Sequence, residues 1–272
     1  MNHHREPLPS RVEGLPGLPA ESLMVLDRGL ATLGLADLPD RVRTILIDHL
    51  RLLLAWNRSI NLTAIRDPET AVREHILDSL SALPILRERG IDTLLDLGSG
   101  GGFPGVPLAL ALPARRVLLV ESVGKKAAFL AVAAALVTEA ARPPACEVDV
   151  FAGRAEALAR DDRHRERWPA VVARAIAPLD RLAEIALPLV ARGGVLIAWK
   201  RRPFEAELAA AGPRLILLGA APPVICPVVV PGLEDHVLVI VEKLESTPGT
   251  YPRDAALRRR RRLPAGDRLP SP

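Results

Sequence analysis

At 272 residues, 49% hydrophobic and 25% charged, the chain has the composition of a folded globular protein, with room for one α/β domain and an accessory segment. Aromatic residues make up only 3%, which argues against base-stacking platforms of the single-strand-binding kind. The two cysteines, Cys146 and Cys226, lie far apart with no CxxC partner, so neither a disulfide framework nor a metal site is expected.

The formal net charge is +4, but its distribution matters more than its sum. Between Tyr251 and Pro272 seven arginines stand against Asp254 and Asp267, a net +5, which leaves −1 for residues 1–250. The body is nearly neutral and the basicity is a tail, which suits contact with nucleic acid as well as it suits a solvated end. Met1 to Ala20 lacks the apolar core of a signal peptide. The longest apolar run, Ala127 to Val137, is shorter than the roughly 18–20 residues of a membrane span. A cytoplasmic protein without membrane contact, most simply a monomer, is expected.

In chain order, residues 1–20 read as a flexible arm and 21–90 as a helical segment. Leu23, Leu26, Leu30 and Leu33 share one helical face, which Gly34 ends. Asp40 opens a longer pattern through Val42, Ile45, Leu46, Leu50, Leu53 and Leu54 to Trp56-Asn57. A third helix spans Glu69 to Arg89, bent or divided at Pro84. Asn57 and Asn61 are expected to tie the loop between them. Glu74, His75 and Asp78 fall on one turn, better read as a polar face packed on the next unit than as an acid–base pair.

Residues 91–246 alternate strand and helix as a doubly wound sheet does. Leu94 to Leu97 is a buried strand, followed by the glycine-rich turn Gly98-Ser99-Gly100-Gly101-Gly102-Phe103-Pro104-Gly105 and a helix with Pro104 in its first turn. Val117 to Glu121, Cys146 to Phe151, Ala170 to Ala173, Gly194 to Lys200, Val224 to Val230 and His236 to Glu242 are the further strands. Between them lie helices at Ala127–Ala140, Pro178–Val190 and Glu205–Ala211. The short polar link Pro231 to Asp235 makes the last two strands an antiparallel hairpin. Residues 247–272 form the basic tail.

The glycine turn points to a nucleotide-like ligand, because a helix N-terminus offers N–H groups and partial positive charge to an anion. Gly100-x-Gly102-x-x-Gly105 matches the dinucleotide pattern, which alone is weak. The alternative frame, Asp96-x-Gly98-x-Gly100-x-Gly102 with Glu121 ending the second strand and a seventh strand in a terminal hairpin, resembles class I methyltransferases. In that reading the loop N–H groups meet the methionine carboxylate of S-adenosylmethionine. Asp96 acts through the ammonium group or an ordered water, and Glu121 accepts both ribose hydroxyls. Gly-x-Ser-x-Gly is absent at Ser99, because Leu97 stands at its first position, and HExxH is absent as well.

Several separate motifs then resemble one family, the small-subunit ribosomal RNA guanine-N7 methyltransferases RsmG, also called GidB. They are Trp56-Asn57 with Asn61-Leu62-Thr63, His75 to Ser79, Asp96 to Pro107, Glu121-Ser122 with Lys125-Lys126 and Phe129-Leu130, Gly153 to Glu156, Ala173-Arg174-Ala175, Trp199-Lys200 and Tyr251-Pro252-Arg253. The resemblance implies a Rossmann-like fold with a seven-stranded, mostly parallel sheet. Its activity would be methyl transfer from S-adenosylmethionine to N7 of guanine 527 in 16S rRNA, with naked rRNA or the 30S subunit as partner. It assigns Gly98, Phe103, Ala155, Glu156 and Arg174 to the cofactor, beside Asp96, Ser99, Gly100, Gly102, Glu121 and Ser122 from the turn and the second strand. After Arg253 the chain departs from the family pattern into Arg258–Arg262.

N7 of guanine keeps its lone pair at neutral pH, so no catalytic base is expected, and positioning carries the reaction. Arg174 and Lys200 are the positioning candidates. Lys125, Arg154, Lys200, Arg201, Arg258, Arg259 and Arg260 are the RNA-binding candidates, with Arg202 beside them. Two other readings stand next to this one. One is a non-catalytic ribosome assembly factor that binds RNA and S-adenosylmethionine, and the other is a small-molecule methyltransferase.

Overall fold

The computed structural model describes residues 8–140 and 146–253. Strand side chains alternate between two faces, and the alternation divides the core in two. Leu94, Val117, Leu119, Val172, Ile197 and Ile240 lie in one cluster. Their neighbours Leu95, Leu118, Val120, Val171, Leu196 and Val239 lie in the other.

The seven strands are β1 (Thr93–Leu97), β2 (Arg116–Glu121), β3 (Glu147–Ala152), β4 (Trp168–Arg174), β5 (Val190–Arg201), β6 (Val224–Pro227) and β7 (His236–Glu242). They form one sheet in the order β3-β2-β1-β4-β5-β7-β6. β1 pairs in parallel with β2 and β4, β2 with β3 and β4 with β5. β7 pairs antiparallel with both β5 and β6, so the terminal hairpin is present.

The helices are α1 (Ala20–Thr32), α2 (Asp40–Trp56), α3 (Pro68–Ala71), α4 (Asp78–Leu80), α5 (Leu83–Glu88), α6 (Gly105–Ala111), α7 (Gly124–Ala140), α8 (Ala155–Leu158), α9 (Leu179–Ala186) and α10 (Glu205–Leu217). α3 and α4 are joined without a break by a π-helical stretch, Val72–Leu77. α8, α9 and α10 cover one sheet face. α6 and α7 cover the other, and most of the buried apolar residues of α1 to α5 belong to that same cluster. Leu46, Leu50 and Leu53 of α2 are fully buried there. Each such side chain contributes roughly 1.5–3 kcal/mol, a large share of the ~5–15 kcal/mol that holds a typical domain together.

Several element boundaries differ from the sequence reading, each for a physical reason. The third helix is divided at Ser81-Ala82, with Pro84 in the first turn of α5, where its missing N–H is harmless. The helix after Pro178 stops at Ala186, because Pro188 disfavours helix just before it. β5 begins at Val190, since Arg192-Gly193-Gly194 is a bulge inside the strand rather than the turn before it. α10 runs through Gly212-Pro213 to Leu217, and burial of Leu215 and Leu218 outweighs the proline. β6 ends at Pro227, and Pro104 is the N-cap of α6 rather than its first helical residue. Leu23 is 37% exposed, so the buried face of α1 is Ser22, Leu26, Gly29 and Leu30. Asn57 ties its loop through Thr63 O and the Leu62 and Thr63 amides, whereas Asn61 is exposed.

The chain from Lys243 to Arg253 is docked on the body at the end where β4 begins. Buried Lys243 Nζ donates to Glu166, Leu187 O and Thr247 Oγ1. Arg165 donates to Thr247 O and Tyr251 O, and Arg253 meets Glu184 at 2.6 Å. Residues 247–253 of the expected tail are therefore fixed structure, while Arg258, Arg259 and Arg260 lie outside the described residues.

Candidate active site

The strand order places the switch point between β1 and β4, where the chain turns from one side of the sheet to the other. Open α/β sheets bind ligands there, beyond the carboxyl ends of the strands. Two cavities occupy this edge, one of about 490 Å³ and one of about 220 Å³, and Gly98 lies on the wall of both.

The glycine turn between them is held by its own neighbours. Ser99, 1% exposed, donates from Oγ to Asp96 O and accepts the Val120 amide, while its own amide donates to Val120 O. This fastens the turn to β1 and β2 together. Asp96 is fully buried, and its Oδ2 accepts the Gly105 amide at 3.0 Å. Burial pushes its carboxyl up to about 7. Asp96 has no face on either cavity, so it anchors the turn instead of reaching a ligand from the wall. The N–H groups expected to face an anion are largely engaged: Gly105 with Asp96, Gly102 and Phe103 with Ser99 O, Gly100 with Glu121 Oε2.

Gly102 is likewise absent from both cavity walls. Its φ is +84°, and a Cβ there would stand 2.8 Å from His49 Nε2. Close approach of α2 is what this position requires. His49 Nε2–H donates to Gly101 O at 2.9 Å, and the ring stacks on Phe103 with centroids 4.6 Å apart. Burial lowers the His49 pKa to about 4, so it is the neutral donor at neutral pH.

The smaller cavity is lined by Glu121, Ser122, Arg154, Ala155 and Glu156, with Ile176, Leu182 and Ile185 as apolar walls. Glu121 ends β2 and is 7% exposed. Its Oε1 accepts the Val123 amide and its Oε2 the Gly100 amide, which fixes the carboxylate while each oxygen keeps a second lone pair.

The larger cavity is lined by Gly98, Ser99, Gly100 and Phe103 on one side and by residues of the helical segment on the other. Asp78, 1% exposed, joins the two sides. Its Oδ2 accepts Arg174 Nη1 at 3.0 Å, its Oδ1 accepts His236 Nδ1 at 2.9 Å, and its carbonyl accepts Trp199 Nε1 at 2.8 Å. Arg174 also donates to Glu74 O in the π-helical stretch. π-helical stretches recur at functional sites. This one carries His75, whose ring stacks on Phe103 at 4.8 Å. His75 Nε2 lies 2.9 Å from Thr63 Oγ1 and its Nδ1 3.4 Å from Arg174 Nη2. Burial, with the Arg174 charge adding to it, pushes His75 down to about 3.

Arg174, Lys200, Arg201 and Lys126 bring cations to this cavity. Lys126 takes the place expected of Lys125, which is exposed and not on the wall. Lys200 is held by Ala177 O and Glu207, and Arg201 pairs with Glu74. Arg202 pairs with Glu205 at 3.2 Å and lies outside both cavities. Sequence reading did not single out His49, His236 or Trp199 as site residues. Lone histidines on an apolar helix or at a strand end carry no spacing signal, and the Trp199-Lys200 motif was the one available hint.

The sequence is similar to known proteins over most of its length. The sequence model of the family described as "GidB: rRNA small subunit methyltransferase G" matches residues 43–227. The ribosomal RNA small subunit methyltransferase G of Roseiflexus sp. strain RS-1 is 42% identical over 209 residues, which cover 77% of this chain and 86% of that one. The protein of the same name from Rubrobacter xylanophilus is 41% identical over 227 residues, covering 81% and 84%. Among solved structures, an O-methyltransferase from Bacillus cereus aligns over 72% of this chain and 90% of that one, at 19% identity and a TM-score of 0.48. With a family model covering well over half of its length and relatives above 40% identity matched over more than four fifths of their own length, the chain belongs to the rRNA small subunit methyltransferase G family.

Proposed function

We propose that the two cavities together form the site of methyl transfer from S-adenosylmethionine to N7 of a guanine in 16S rRNA. The observation that carries this reading is their meeting at Gly98: one side offers a fixed carboxylate among apolar walls, the other four cations around an aromatic floor. The residues present fit the cofactor. Glu121 has acceptor capacity left for a vicinal diol, and Ile176 and Leu182 provide apolar walls for a purine. Gly98, at φ +62°, leaves a neck that a Cβ would close to 3.0 Å from Ile176.

When bound, the cofactor supplies a methyl group already activated on a sulfonium. The chain's own work is placement. Gly98 to Gly101 line the methionine end, with Ser122, Arg154, Ala155 and Glu156 around the adenosine end. Asp78 and Glu74 O hold Arg174 in one rotamer beside Phe103, where its charge meets the incoming nucleotide. The neutral rings of His75 and His49 stiffen the floor without adding charge. No proton has to leave N7, so a site without a base is chemically sufficient, and orientation at about 3–3.5 Å supplies much of the acceleration.

Lys126 and Arg201 are the surface that receives RNA phosphates, assisted by Arg258–Arg260, whereas Arg154, an RNA candidate from the sequence, lies on the cofactor side. The protein acts in the cytoplasm, as a monomer, on rRNA in or out of the small subunit. Among the described residues no helix is long and apolar enough to cross a membrane.

One assay tests the reading against an assembly factor and against a small-molecule enzyme. Labelled methyl transfer to 30S subunits, naked 16S rRNA and a metabolite pool is measured, and the modified base is mapped. Label at guanine N7 of the rRNA is expected, and label only in metabolites, or none, overturns it.

A further inference from the structure

The larger cavity holds one group to which methyl transfer and phosphate contact give no task. Its wall carries two carboxylates, Asp78 and Glu74. Asp78 is spent: its side chain is 2% exposed and both oxygens are taken by Arg174 and His236. Glu74 is different. Its side chain is 26% exposed, and the ion partner is Arg201, itself 54% exposed. Exposed pairs of this kind contribute about 0–1 kcal/mol, so Arg201 is an exchangeable partner.

A carboxylate in a cavity that receives RNA repels phosphate, so it needs another object. Guanine supplies one. Its N7 and O6 are acceptors that suit cations, whereas N1–H and the 2-amino group are adjacent donors on another edge of the same ring. Two adjacent donors match the two oxygens of a carboxylate. Adenine presents a lone pair at N1 and no 2-amino group, and a carboxylate there is repelled. The cations of this wall suit O6, while the N7 lone pair stays free for the methyl group. Thr63 Oγ1 is committed to His75 and the Ile65 amide, which leaves Glu74 as the acidic reader among the described wall residues.

We propose that Glu74 determines base specificity. Its carboxylate leaves Arg201 and accepts N1–H and the 2-amino group of the target guanine, while Arg201 turns to RNA phosphate. This rests on the guanine-N7 reading above. The π-helical stretch has a purpose in this picture, since it carries Glu74 and its carbonyl is pinned by Arg174, which fixes the reader relative to the strand ends.

The test uses the full chain and 16S rRNA carrying guanine or inosine at the methylated position, inosine being guanine without the 2-amino group. The wild type should lose about tenfold or more in kcat/KM on inosine, the scale of one lost hydrogen bond to a charged group. Glu74→Gln should fall by a similar factor on guanine and change little further on inosine. Arg201→Ala breaks the same ion pair but keeps the carboxylate, and should retain the wild-type guanine-to-inosine ratio. Equal wild-type rates on the two RNAs overturn the inference without any variant. So does a Glu74→Gln enzyme that still discriminates as the wild type does, or an Arg201→Ala enzyme that does not. If the wild type labels no RNA at all, the proposed function fails first, and the two failures are distinct.

Discussion

The two cavities that meet at Gly98 are built by different means. The smaller draws its named walls from Leu97 to Ile185, from the ends of consecutive strands and the loops and helix starts that follow them. The larger collects residues from Leu53 to His236, and its two sides are joined through Asp78, whose partners lie 96, 121 and 158 residues away in sequence. One is a property of the βα units, each of which makes its share locally. The other exists only once the helical segment has closed on the sheet. Loss of local geometry should therefore damage one function at a time, whereas loss of the long-range junction should damage the wall and the fold together.

The largest effect is expected from Asp78→Ala. It leaves Arg174 and His236 without their shared partner, and breaking a buried pair from one side costs about 3–5 kcal/mol. Denaturant unfolding should show that loss, and methyl transfer should fall further than cofactor binding does. Next is Gly102→Ala, which puts a Cβ against His49 and Val106 at a positive φ. About 2 kcal/mol of stability should be lost, within the ~1–3 kcal/mol typical of overpacking, with weaker cofactor binding by calorimetry.

His49→Leu orphans the Gly101 carbonyl for about 1–2 kcal/mol and tests the same contact from the other side. It also carries a pH signature. His49 and His75 are held below their usual 6.5, at about 4 and about 3, so the stability they contribute is full above pH 6.5 and is lost as pH falls towards those values. Asp96, raised from 3.8 to about 7, behaves oppositely: its contribution is full below 3.8 and is lost as pH rises through 7. Unfolding free energy measured across pH 4–9 should therefore lose part of its fall towards acid below pH 6.5 in His49→Leu, and part of the opposing fall between pH 4 and 7 in Asp96→Asn. An unchanged profile in either variant would remove that residue from the account.

The smallest effect on the fold is expected from deletion of residues 254–272. Stability and cofactor affinity should stay unchanged, while RNA affinity falls and depends less steeply on salt. Equal affinity and salt slope in the truncated protein would leave the arginine run without a role in binding.

What was legible in the sequence follows the same division. The β1 strand, the glycine turn and Glu121 are local patterns, and each was found where the structure has it. Asp96 and Gly102 belonged to that motif, yet the motif does not say which members face a ligand and which hold the turn from behind. The Lys125-Lys126 pair shows the limit of one helical step. α7 starts at Gly124, and successive residues point about 100° apart, so only Lys126 reaches the wall. The Asp78 junction was read as a polar face packed on the next unit, which it is. Its partners could not be named, because nothing near residue 78 encodes Arg174, Trp199 or His236.

The docking of Arg253 on Glu184 has a consequence for the size of the substrate. The last described residue is fastened to Glu184, next to the cavity wall at Ile185, while Tyr251 O and the Thr247 amide meet Arg165 and Glu166 at the end of the sheet where β4 begins. Seven strand residues at roughly 3.3 Å each put that end of the sheet about 20 Å from the cleft where β4 ends. The stretch from Thr247 to Arg253 is thus anchored on both Glu166 and Glu184, and an arginine run that contacted RNA would give a ligand two attachment points rather than one. A free nucleotide could occupy only one of them, so removal of residues 254–272 is expected to weaken a long polyanion more than a free nucleotide.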